Sequence, residues 1–92
     1  MENVDQKPEV PDELTLTLRK AVEFAGEQIH VLELREPTLD EVEKFTKEFQ
    51  KNGSISAVRF LISLISGHPV AALGKIAARD FKAAEEYLAN FI

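Results

Sequence analysis

The stretch "LELREPTLDEV", residues 32–42, holds the boundary that decides the fold. Its first half alternates as a strand does, with Leu32 and Leu34 on one side and Glu33 and Arg35 on the other. Pro37 ends that element, because it has no N–H for a ladder and restricts Glu36 to an extended conformation. Thr38 and Glu41 then form a T-x-x-E capping box, and Asp40 and Glu41 complement the positive end of a helix dipole. Arg35, Glu36, Pro37, Thr38 and Glu41 are therefore read as a structural junction, strand to helix with no loop between.

Upstream, "LTLTLR" at residues 14–19 places Leu14, Leu16 and Leu18 on one face and Thr15, Thr17 and Arg19 on the other, the pattern of a half-buried strand. Ala25-Gly26 supplies a turn, with Gly26 free to take a positive φ. A second strand is expected over about 28–35. Ile29 and Val31 share one parity there, and Leu32 and Leu34 the other. Either a bulge shifts the phase near Val31-Leu32 or both faces are covered; we favour the bulge.

Downstream, a helix is expected over 39–51, with Leu39, Val42, Phe45 and Phe49 as a narrow apolar stripe and Asn52-Gly53 as its end. A second helix over 54–66 is apolar most of the way round, with eight apolar residues among the eleven from Ile55 to Ile65. Such a helix must be buried on several sides. After the Gly67-His68-Pro69 turn come a short helical segment, "PVAALGKI", and a last helix over 78–90 with Phe81, Ala84, Leu88 and Phe91 on one face. The fold class is α+β: an N-terminal β-hairpin followed by three to four short helices.

Residues 1–13 hold five acids, one lysine and two prolines, with few apolar side chains, and are read as a disordered acidic tail. That tail carries −4, while residues 14–92, read as one domain, carry −1 from 11 acids and 10 bases. A nearly neutral body with an acidic tail disfavours nucleic-acid binding. No cysteine is present, which excludes a disulfide scaffold and a thiolate metal site and suits the cytoplasm. The N-terminus lacks the apolar core of a secretory signal, and the longest apolar stretch is too short to span a bilayer, so no membrane association is expected.

Chemistry is hard to find in this chain. His30 and His68 are read as surface or turn residues, and Ser54, Ser56, Ser63 and Ser66 as caps or packing-compatible polar groups. No nucleotide-binding, zinc-protease or serine-hydrolase motif occurs. We expect no catalytic, cofactor-binding or metal-binding residues, and no enzyme activity. The informative features are apolar surface and open strand edges. The second helix offers more apolar surface than its short neighbours easily cover, making Val58, Phe60, Leu61, Leu64 and Ile65 candidates for partner contact. The edge at Leu16, Thr17 and Leu18 is a candidate for self-association.

The order of these signals resembles the phage tail assembly chaperone family of Mu-like contractile-tailed phages. The resemblance rests on Leu16, Leu18 and Arg19 in the first strand, Gly26-Glu27 at the turn, and Leu34-Arg35-Glu36-Pro37-Thr38 at the junction. Leu64-Ile65-Ser66-Gly67 with Pro69, and Asp80-Phe81, carry it further. It covers about residues 14–92 and leaves the acidic tail unmatched; Ala21 stands where the family often has proline. It implies a non-enzymatic homo-oligomer in the cytoplasm of the bacterial host. Such a protein binds and solubilises the tape measure protein, guides tail tube assembly, and is absent from the mature virion. The tail tube protein and a frameshifted longer form of the chain are further implied partners. The alternative is a small intracellular adaptor or regulatory module using the same apolar surface.

Overall fold

The computed structural model describes residues 9–92, so most of the expected tail, residues 1–8, lies outside the described residues. Strand β1 (Glu13–Phe24) and strand β2 (Glu27–Arg35) form a two-stranded antiparallel sheet. Helices α1 (Leu39–Asn52), α2 (Ser54–Ser66), α3 (Val70–Leu73) and α4 (Ala78–Leu88) follow. The α+β hairpin-then-helices class read from the sequence is the fold observed. Phe24 pairs with Glu27 across a two-residue loop in which Ala25 has φ 53° and Gly26 φ 83°. Two successive positive φ values give the turn the right-handed twist of the strands; glycine adopts this freely, whereas Ala25 does so at a cost.

The sheet departs from regularity where the phase change was expected, but the extra residues are on β1. Thr17 pairs with Val31 and Val22 with Ile29, so Leu18, Arg19, Lys20 and Ala21 stand opposite His30 alone. Ile29, Leu32 and Leu34 are consequently all buried, although their parities differ. On β1, Leu18 and Val22 both face inward, while Lys20 between them is turned out to solvent.

A bulge of this size leaves backbone donors without a strand partner. Asp80, in the first turn of α4, answers one of them. Its carboxylate accepts the Arg19 N–H at both oxygens, Oδ1 and Oδ2 each at 3.0 Å. Asp80 is 2% exposed and has no cation at ion-pair distance among the described residues. The positive end of α4 and this charge-assisted bond are what hold the anion in place. At the other end of α4, the Tyr87 hydroxyl donates to the Pro11 carbonyl at 2.7 Å. The helix is thus tied at two points along the N-terminal segment.

The core lies between the inner face of the hairpin and helices α2, α3 and α4. It includes Leu18, Leu32, Leu61, Ile62, Leu73 and Leu88. Gly67, with φ 81°, closes α2, and its N–H donates to the Ser63 carbonyl at 3.0 Å. Arg59 donates from Nε to the Val70 carbonyl at 2.9 Å, which fastens α3 to α2. Replacing Asp80 with alanine strands the Arg19 N–H and is expected to cost about 2–3 kcal/mol of unfolding free energy. Asp80→Asn, which keeps one acceptor, is expected to lose less; urea unfolding of both variants measures the difference.

Candidate functional site

Helix α1 starts where the junction residues place it. The Glu41 N–H donates to Thr38 Oγ1 at 3.2 Å, and the Thr38 N–H donates to Glu41 Oε1 at 2.9 Å, closing the capping box. Arg35, the last residue of β2, adds a fork: Nη1 and Nη2 donate to Glu41 Oε1 and Oε2, each at 2.8 Å. The same carboxylate therefore caps the helix and ties it to the sheet. Pro37 between them is buried. This double duty fixes the direction in which α1 leaves the hairpin.

From there α1 packs against α2. Gly53, with φ 92°, is the one-residue hinge between the helices, and its N–H donates to the Phe49 carbonyl at 2.9 Å. Ser56 Oγ and Asn52 Nδ2 both donate to Glu48 Oε2, at 2.7 and 2.8 Å. Those bonds, from Ser56 first, hold the Glu48 carboxyl below its ordinary range.

Helix α1 nevertheless buries no residue. Its stripe runs Leu39, Val42, Phe45, Phe49, with Leu39 76% and Phe49 48% exposed. The Phe45 and Phe49 rings lie 5.9 Å apart between centroids in a tilted arrangement. Ile55, at the start of α2, is 70% exposed. On α2, Ser56, Phe60 and Leu64 follow one another at i, i+4 and i+8, so they form one ridge. Ser56 bonds to α1, and Phe60 and Leu64 on the same ridge are half-buried and stand outside the core cluster. Together these side chains make an apolar seam along the α1–α2 hairpin, open at Leu39, Phe49 and Ile55 and half-buried at Val42, Phe45, Phe60 and Leu64, with Phe45 packed on the core.

The residues singled out from sequence divide accordingly. Val58 and Leu61 are 3% and 0% exposed and belong to the core, where contact with a partner requires α2 to leave the sheet. Phe60 and Leu64 lie on the seam. Ile65 packs on the core and borders a small open cleft of about 200 Å³ with Glu13, Glu33, Leu34 and Arg35. Leu18 is buried, Leu16 half-buried and Thr17 exposed. The α1 stripe is legible in the sequence, but nothing there separates it from an ordinary core-facing stripe; Leu39, in the first turn, is its most exposed member.

Among the described residues no group of three or more histidines, cysteines, aspartates or glutamates is placed to hold a metal ion. No described helix is long and apolar enough to cross a membrane. The described residues thus present an amphipathic two-helix surface on a small sheet. The family model for phage tail assembly chaperone proteins, described as "E, or 41 or 14", matches residues 15–92, and the chain belongs to that family. No curated protein and no solved structure matches it.

The junction has a pH signature. The hydrogen bonds from Arg35, helped by Thr38, lower the Glu41 carboxyl from 4.5 to about 2. A carboxyl depressed in the folded state contributes stability above its unfolded pKa and loses it as pH falls through the folded one. Glu41→Gln is expected to be less stable than the parent at neutral pH by about 1 kcal/mol, the upper end for a partly exposed pair. The gap closes as the pH is taken from 4.5 down to about 2, which urea midpoints measured across that range report.

Proposed function

We propose that this chain binds the tape measure protein of a phage tail through the α1–α2 seam and keeps it soluble while the tail tube is built around it. The observation that carries this reading is α1 itself: a complete amphipathic helix, held by its cap, its ends and its packing on α2, with no residue of its apolar stripe fully buried and Leu39 and Phe49 exposed. A partly uncovered row of Leu39, Val42, Phe45 and Phe49, flanked by Phe60 and Leu64, suits an amphipathic helix laid alongside. Covering one such leucine or phenylalanine fully contributes about 1.5–3 kcal/mol, so a few of them suffice for a reversible contact. Reversibility is needed in an assembly factor that leaves the finished particle. The role is non-enzymatic and is carried out in the cytoplasm of the bacterial host. The tail tube protein and a longer, frameshifted form of the chain are partners within the same reading.

The test is co-expression with the tape measure protein encoded nearby. The parent chain is expected to render that protein soluble and to co-purify with it. Leu39→Asp with Phe49→Asp, both exposed, is expected to abolish co-purification while leaving helical content unchanged. A client that still co-purifies with the folded double variant places the contact elsewhere.

A chaperone of a long client also has to line up many copies, and the edge of β1 at Leu16, Thr17 and Leu18 is one means of doing so. Thr17, the exposed member, sits at the last regular pair before the bulge. Thr17→Pro is then expected to reduce self-association, read by sedimentation, with helical content retained. An unchanged profile removes the strand edge from consideration.

A further inference from the structure

The free charges along α1 are sorted by sign. Leu39, Val42, Thr46 and Phe49 follow one another at steps of three and four, so Asp40, Glu43, Lys47 and Gln50 lie along one flank of that line. The other flank faces α2: Glu48 is bonded there to Ser56, and Phe45 packs on the core. The outer flank therefore carries two anions beside Leu39 and a cation, Lys47, toward Phe49, with Lys51 one turn beyond. All four charged residues are exposed, and none has an ion pair among the described residues.

The remaining charges of the helix leave this order intact. Glu41 is held by Arg35 and by the Thr38 N–H. Glu48 accepts from Ser56 and Asn52 and is half-buried. Its carboxyl, lowered first by the Ser56 and Asn52 bonds, also feels Lys51, which leaves Lys47 the freer of the two cations. Lys44 lies on the face opposite the stripe. Leu39 and Phe49 are ten residues apart, about 15 Å along the axis, so the two signs meet a partner at separate places.

Opposite signs at its two ends give the seam a direction. A helix ordinarily carries acids in its first turns and bases in its last, because these complement its own dipole. Laid parallel to α1, such a helix sets acid against acid at Leu39 and base against base toward Phe49. Laid antiparallel, it meets its opposite at both places. We propose that the seam takes an amphipathic helix of the client antiparallel to α1, with its acidic N-terminal end beside Lys47 and Lys51 and its basic C-terminal end beside Asp40 and Glu43. The inference rests on the reading of the seam as the client site. Exposed ion pairs are weak, so Leu39 and Phe49 supply the affinity and the flanking charges select the direction.

Two synthetic peptides of about 18 residues, about 27 Å long as helices, decide it. They share one leucine stripe; the first has glutamates flanking its first half and lysines its second, and the other has the reverse. Each carries a spin label at its N-terminus, and broadening of the Leu39 and Phe49 amide signals of the full chain reads the direction. At about 10 mM salt the first peptide is expected to broaden Phe49 about fivefold more than Leu39, and the second to invert that ratio. Glu43→Lys/Lys47→Glu, which keeps the net charge and is checked for helical content, is expected to bring both ratios close to one. Peptides that bind the seam in no preferred direction, in the same direction whatever their charge order, or in the direction opposite to that expected overturn the proposal and leave the seam as the client site. Binding of both is expected to be lost in Leu39→Asp/Phe49→Asp. If neither peptide binds the parent chain, or binding survives in that variant, the reading of the seam fails and this inference with it. Should the charge variant not fold, the inversion between the two peptides decides by itself.

Discussion

A single carboxylate governs how the two halves of this molecule fit. Asp80 reaches back 61 positions to the Arg19 N–H, inside the irregular part of the sheet. Apolar packing between α4 and the hairpin supplies most of the attraction, but it is non-directional and sets no register. The Asp80 bond does set one, and the Tyr87 bond to Pro11 repeats it at the opposite end of the helix. With both in place, Ala84 and Leu88 fall on the core and the small α3 fits beneath Arg59. A buried anion is a costly way to position a helix. Here it also satisfies the backbone that the bulge would otherwise leave bare, so one group answers two needs.

The fully buried residues and the half-open helix α1 are more sharply divided than the size of the chain suggests. The inner face of the hairpin with α2, α3 and α4 forms the core, and α1 buries no residue fully in it, touching it through half-buried Phe45. The helix is retained by packing against α2, by Phe45 on the core, and by polar contacts at its ends: the cap and Arg35 fork at the start, the Glu48 bonds near the finish. Leu39 and Phe49 of its apolar stripe are left exposed. In the proposed reading this arrangement orients the helix without consuming all of the surface offered to the client.

Local features were legible in the sequence because their chemistry is local. Thr38 and Glu41 lie within one helical turn, Pro37 acts on its own backbone, and Ala25-Gly26 closes the hairpin by itself. The bulge was half legible. On β2 it leaves a mark, since Ile29 and Leu32 are both buried at opposite parity. On β1 the mark is fainter: Leu18 and Val22 keep one parity, and only Lys20 between them, exposed where a regular strand would turn it inward, breaks the alternation. The role of Asp80 was not legible at all: an aspartate in a first helical turn is common, and its partner is distant in sequence and contributes only backbone. Nor does composition separate Leu61 from Phe60. On a helix apolar most of the way round, only the direction of its neighbours tells core from seam.

The partial exposure of the α1 stripe bears on how such a protein diversifies. A substitution in a packed interior changes stability and binding together, so a chain tracking a changing partner risks its own fold at each step. Leu39 and Phe49 escape most of that coupling, since both are exposed, whereas Phe45 between them packs on the core. These two side chains can be exchanged as the partner's sequence drifts, provided the cap and the Glu48 anchor persist. In the proposed reading the exposed ends of this stripe are an interchangeable reading head on a fixed chassis, and divergence among such chains is expected to concentrate there.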